Sequence, residues 1–140
     1  HPRMLSTFRR ITEHLGHGYL LMRYTHDTDD GLPSGEGAFG LCSFWDDEYL
    51  AKVGDIEGAK EQLEGMLQYA NDVGLFAEEI DPRTGELLGN FPQAFTHVGL
   101  INAALSISEA LGLREPSGFE QAPENDARNR RASAQQLLSP

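Results

Sequence analysis

The stretch from Pro92 to Leu111 constrains the fold most. Ala94, Phe95, Val98, Leu100, Ile101, Ala103, Ala104, Leu105 and Ile107 make it apolar on nearly every side, with small residues interspersed. A helix of that kind has to be buried on most of its sides. Gly37–Val53 has the same character: Phe39, Cys42, Trp45, Tyr49 and Val53 recur at helical spacing, Ala38, Leu41 and Leu50 widen the stripe, and Gly54 ends it. Between the two, Asp55 stands at an N-cap position ahead of Ile56, Ala59, Leu63, Leu67, Ala70 and Val73, a narrow stripe with Glu57, Lys60, Glu61, Glu64 and Gln68 outside it. Broadly buried helices alternating with an amphipathic one suggest two concentric helical layers.

The rest of the chain is arranged around these helices. Leu5, Phe8, Ile11 and Leu15 predict a first helix over Met4–Leu15 with Gly16 as its stop, and Tyr19–Tyr24 reads as a short extended piece. Thr25–Gly37, rich in Asp and Gly, is expected to be a loop. Residues 75–91 should form a turn or short hairpin about Asp81-Pro82-Arg83-Thr84-Gly85, where proline pre-sets the turn and glycine tolerates positive φ. Asn90 is placed to cap the helix that follows. Beyond residue 114 the composition turns to Pro, Glu, Gln, Ser, Arg and Asn, so 1–114 is expected to form the folded part and 115–140 a mobile polar tail.

Composition excludes several classes of function. The formal charge of −11 with only Lys52 and Lys60 as lysines leaves no basic face for phosphates, which argues against nucleic acid. The apolar runs are broken well short of the ~20 residues that a membrane span needs. Cys42, the single cysteine, cannot form an internal disulfide and sits in an apolar run, as a buried inert thiol would. No charged-then-apolar leader is visible, which suggests the cytoplasm, although a chain opening at His1 is expected to have been processed or excised from a longer reading frame.

Two separated motifs stand out. The first is Gly31-Leu32-Pro33-Ser34-Gly35-Glu36-Gly37-Ala38-Phe39 followed by Cys42-Ser43-Phe44-Trp45. The second runs from Gly74-Leu75-Phe76-Ala77-Glu78-Glu79-Ile80-Asp81-Pro82 through Leu88-Gly89-Asn90-Phe91-Pro92-Gln93-Ala94-Phe95 to His97-Val98-Gly99-Leu100-Ile101-Asn102-Ala103-Ala104. Both resemble the bacterial branch of glycoside hydrolase family 15, the glucoamylase-like family that also includes glucodextranases and trehalases, and the similarity covers roughly residues 2–112. It implies an all-α chain, a C-terminal part of the (α/α)6 toroid of six-hairpin glycosidases, with about four helices present. Gly37–Val53 and Pro92–Leu111 would then be inner helices and Asp55–Val73 an outer one.

An inverting glycosidase needs a protonated acid at the leaving oxygen and, across the sugar, an ionised carboxylate that activates water, the two standing about 6.5–9.5 Å apart. The resemblance maps that base onto Glu78. The acid belongs to a family segment that nothing between His1 and Gly31 matches, so the chain is expected to be inactive alone and to need upstream segments or self-association. Without the motif, Glu78 and Glu79 would read as two solvated charges beside a turn. Successive residues of an extended segment point to opposite sides, so only one of them can face a given pocket. Glu79 and Glu36 are candidates for binding sugar hydroxyls, although a glutamate just ahead of a helix is also favoured by the helix dipole. Trp45 falls in the helical stripe and reads as core rather than as a sugar platform.

No cofactor or metal is expected. The loop at Asp27 lacks the ligands of a calcium hand at Gly31 and Ala38, and His14, His17, His26 and His97 lack zinc spacing. His97 reads as a hydrogen-bonded core residue. The expected substrate is an α-glucan or maltooligosaccharide end, releasing β-glucose, with trehalose as the alternative and a non-catalytic sugar-binding scaffold as a reading of another class. Inner-helix faces such as Phe95, Val98 and Leu105 are expected to lack neighbours in a chain this short, so association is predicted.

Overall fold

The computed structural model describes residues 1–25 and 36–113; the expectations for the loop at 26–35, including the first motif's Gly31–Gly35, and for the tail at 115–140 lie outside the described residues. In chain order the elements are α1 (Pro2–Leu15), β1 (Gly16–His17), β2 (Leu20–Leu21), β3 (Ala38–Phe39), α2 (Gly40–Val53), α3 (Ile56–Leu67), β4 (Glu79–Ile80), β5 (Leu87–Leu88) and α4 (Ala94–Ala110). The described chain is all-α in class, with a two-stranded ladder, β1–β2, and a three-stranded antiparallel one, β3–β4–β5. This is the fold class that the sequence predicts, an all-α piece of a helical toroid.

α2 and α4 pack on small residues. A side chain added at Gly40 would meet Thr96, and one at Gly99 would meet Leu41 and Phe44. Ala51 clusters with Ile107 further along. The contacts advance together along both helices, so α2 and α4 run parallel. α3 returns after the tight left-handed turn at Gly54, φ +89°, and packs on both through Ala59, Leu63 and Met66. The main core gathers Leu20, Met22, Phe44, Met66, Phe76 and Ile80, with Phe44 and Phe76 edge to face at 5.4 Å.

Several boundaries and faces differ from the sequence expectation. α2 begins at Gly40 rather than Gly37, because Ala38 and Phe39 extend to pair with Ile80 and Glu79. The buried face of α2 is Gly40, Ser43, Phe44, Asp47 and Ala51, not the apolar stripe, and Trp45, expected in the core, is 54% exposed. α4 likewise buries Thr96, Gly99, Ala103 and Ile107 and leaves Phe95, Val98, Ile101 and Leu105 outward. The physical reason is close approach: parallel helices meet through their small residues, and the large apolar side chains point away. α3 ends at Leu67, and its continuation turns through Asn71, whose Oδ1 accepts from the Val73 and Leu75 amides, which leaves Val73 exposed.

The predicted N-cap of α3 is present, Asp55 Oδ1 accepting from the Gly58 amide at 3.1 Å. Asp55→Ala should therefore lower stability by about 1 kcal/mol, read as a fall in the urea midpoint at unchanged slope; an unchanged midpoint would show the cap to be idle.

Candidate active site

The segment carrying Glu78 is pinned by its backbone on three sides. The Phe76 amide donates to His97 Nε2 at 3.3 Å, and the Phe76 carbonyl accepts from the Gln93 amide at 2.9 Å. The Thr96 hydroxyl donates to the Ala77 carbonyl at 3.0 Å. At Glu78 itself the carbonyl accepts from the Gly40 amide at 3.0 Å and the amide donates to the Asn90 carbonyl at 2.9 Å. α4, α2 and the β5 side of the hairpin thus all hold one short strand. His97 is the hydrogen-bonded residue expected: its Nδ1 lies 2.7 Å from the Gln93 carbonyl, and since Nε2 accepts from an amide, Nδ1 carries the proton.

The predicted hairpin forms, with Glu79 opposite Leu88 and Ile80 opposite Leu87, and Gly85 at φ +74° closes the turn. Asn90 does not cap α4. Gln93 does, its Oε1 accepting from the Phe95 amide at 3.4 Å. Asn90 instead turns to Glu78: its Nδ2 donates to Glu78 Oε2 at 2.7 Å and its backbone amide to the same oxygen at 3.1 Å.

The three predicted glutamates gather around β3 and β4 but with different partners. Glu79 Oε2 accepts from the Gly37 amide at 2.9 Å. Its carboxyl is raised above the usual carboxylate range by burial first, opposed by that amide, with Glu36 and Glu78 raising it further and Arg23 lowering it. Glu36 is held by Arg23, whose Nη2 reaches Oε1 at 2.9 Å and Oε2 at 3.0 Å. Because α2 starts at Gly40, Glu36 does not stand in the helix's first turn, and its role is an ion pair rather than a helix-dipole contact. Glu78 differs from Glu79 in having two donors on its Oε2 rather than one, and no hydrogen-bond partner of its Oε1 is found among the described residues. A carboxylate so arranged can take a proton from a water molecule. Among the described residues no group of three or more His, Cys, Asp or Glu side chains is placed to hold a metal ion.

Residues 56–105, which include Glu78 and Glu79, match the family model described as Glycosyl hydrolases family 15. Three curated proteins named trehalase are similar over most of the chain: that of Mycobacterium tuberculosis at 45% identity over 86% of this chain, that of Mycolicibacterium smegmatis at 46% over 84%, and that of Thermoplasma acidophilum at 43% over 77%. The chain belongs to glycosyl hydrolase family 15. It spans 18% of the length of each of these three relatives. No solved structure matches it.

Within the family 15 frame, three contributors escaped the sequence reading. Arg23 gave no motif signal, and only the fold brings it to Glu36. Asn90 stands in the second motif, but the one role the sequence offers it is that of a helix cap. Gly89 lies between the expected turn and the expected cap, yet its φ of +72° and the 3.1 Å that separate its missing side chain from Glu78 Cβ and Oε2 are what let Asn90 approach.

Proposed function

We propose that this chain forms the base-bearing part of the active site of an inverting trehalase, with Glu78 as the general base. The observation that carries the reading is the 43–46% identity to proteins named trehalase across the segment that holds Glu78. In the proposed step, Glu78 Oε1 takes a proton from water as the water oxygen attacks the anomeric carbon. The glycosidic C–O bond breaks, and an acid from the part of the enzyme this chain does not span protonates the leaving oxygen. One glucose then leaves as the β anomer and the other as α. The named relatives favour this reading over the α-glucan end expected from the motifs.

The test is a chimera of a trehalase relative in which this chain replaces the matching segment, given trehalose or maltotetraose, with anomers followed by proton NMR. Equal initial release of β- and α-glucose from trehalose, and none from maltotetraose, is expected. β-Glucose from maltotetraose would restore the glucoamylase reading, α-glucose alone from trehalose would exclude inversion, and inertness toward both sugars would favour a scaffold.

A further inference from the structure

The geometry points to Asn90, presented by Gly89, as the residue that positions the Glu78 carboxylate. The inference rests on the reading of Glu78 as the base. Three hydrogen bonds join the two residues: the Glu78 amide donates to the Asn90 carbonyl at 2.9 Å, and the Asn90 amide and Nδ2 donate to Glu78 Oε2 at 3.1 and 2.7 Å. Both bonds to the carboxylate fall on one oxygen. A carboxylate held at Oε2 alone cannot rotate about its last bond without losing two charge-assisted bonds, so Oε1 keeps one direction. That is what a general base requires, since the attacking water must be met along a fixed line.

Gly89 makes the arrangement reachable. At φ +72° its backbone lies where side chains are strained, and a Cβ there would stand 3.1 Å from Glu78 Oε2. The glycine turns the Asn90 amide onto the carboxylate and leaves space for it in the same step. Asn90 does not act as the helix cap, because Gln93 serves there, so its amide is committed to Glu78.

The experiment uses the chimera described above with Asn90→Asp and Asn90→Ala. Aspartate keeps the shape of asparagine but cannot donate as a carboxylate, which isolates the hydrogen bond from packing. Both variants are expected to lose about 10- to 100-fold in kcat on trehalose with KM within about threefold of the parent, since misdirection of a catalytic group acts in the transition state. If Glu78→Gln abolishes turnover while Asn90→Asp leaves kcat unchanged, Asn90 is a fold brace and the inference falls alone. If Glu78→Gln stays active, the function assigned to Glu78 falls with it.

A second measurement needs no turnover. In the full chain by itself, NMR relaxation of the Glu78 side-chain methylenes should report an ordered side chain, loosened by Asn90→Ala to the mobility of Glu57, whose side chain is 87% exposed. Mobility of Glu78 equal to that of Glu57 before any substitution would overturn the positioning role.

Discussion

Glu78→Gln should cost the chimera about 10²- to 10⁴-fold in kcat on trehalose, the usual contribution of a general base, while Glu79→Gln costs less than about tenfold. Glutamine keeps the length and shape of glutamate and removes only the ability to take a proton, so fold and substrate binding should survive and KM should change little. The loss corresponds to about 3–5 kcal/mol of transition-state stabilisation. Glu79 is a sharp control because it is the adjacent carboxylate in the same strand. Its Oε2 accepts from the Gly37 amide at 2.9 Å rather than from Asn90, and burial raises its carboxyl. Equal loss in the two variants would mean that the pair works as a unit, and a greater loss at Glu79 would move the base to that residue.

The hairpin and the cap at Asp55 were legible because each depends on local chemistry, whereas the choice of Glu78 over Glu79 rests on the family resemblance alone. Proline and glycine set a turn whatever surrounds them, and an aspartate ahead of a helix caps it with its own side chain. The faces of α2 and α4 were not legible. Periodicity finds the large apolar residues and assigns them to the core, but these two helices approach at Gly40, Thr96 and Gly99, which carry no hydrophobic signal. The stripe of Phe95, Val98, Ile101 and Leu105 is correspondingly outward, as expected of a chain that spans under a fifth of its relatives' length. Contacts between distant segments were equally hidden. Nothing local announces that Arg23 will meet Glu36, or that the residue preceding Phe91 will serve a carboxylate twelve positions earlier rather than the helix after it.

Asp47 is the clearest case of a residue whose environment its sequence disguises, and it carries the second large prediction. Asp47 stands between two other acidic residues, Asp46 and Glu48, yet it is fully buried on the face that α2 turns to the core, and neither carboxyl oxygen has a hydrogen-bond partner among the described residues. Burial, reinforced by Asp46 and Glu48 and opposed by the residue's own backbone N–H, pushes its pKa up to about 8, and burial pushes Asp46 up to about 6. An unfolded aspartate titrates near 3.9, so between about pH 4 and pH 8 the folded chain binds more protons than the unfolded one. The contribution of Asp47 to stability is therefore most favourable below about pH 4, falls as pH rises through about 8 and levels off above it, with Asp46 adding a decline of the same sign that ends near pH 6. Asp47→Asn removes the buried charge and keeps the shape. The variant should match the parent within about 1 kcal/mol near pH 4 and be more stable by about 2–4 kcal/mol near pH 8.5, because an unpartnered buried charge costs far more than an unpartnered amide. Urea unfolding of both chains across that range reads the difference directly. A parent that gains stability with rising pH, or an Asn variant whose advantage is the same at both ends, would show that Asp47 is ionised and paired in the folded chain.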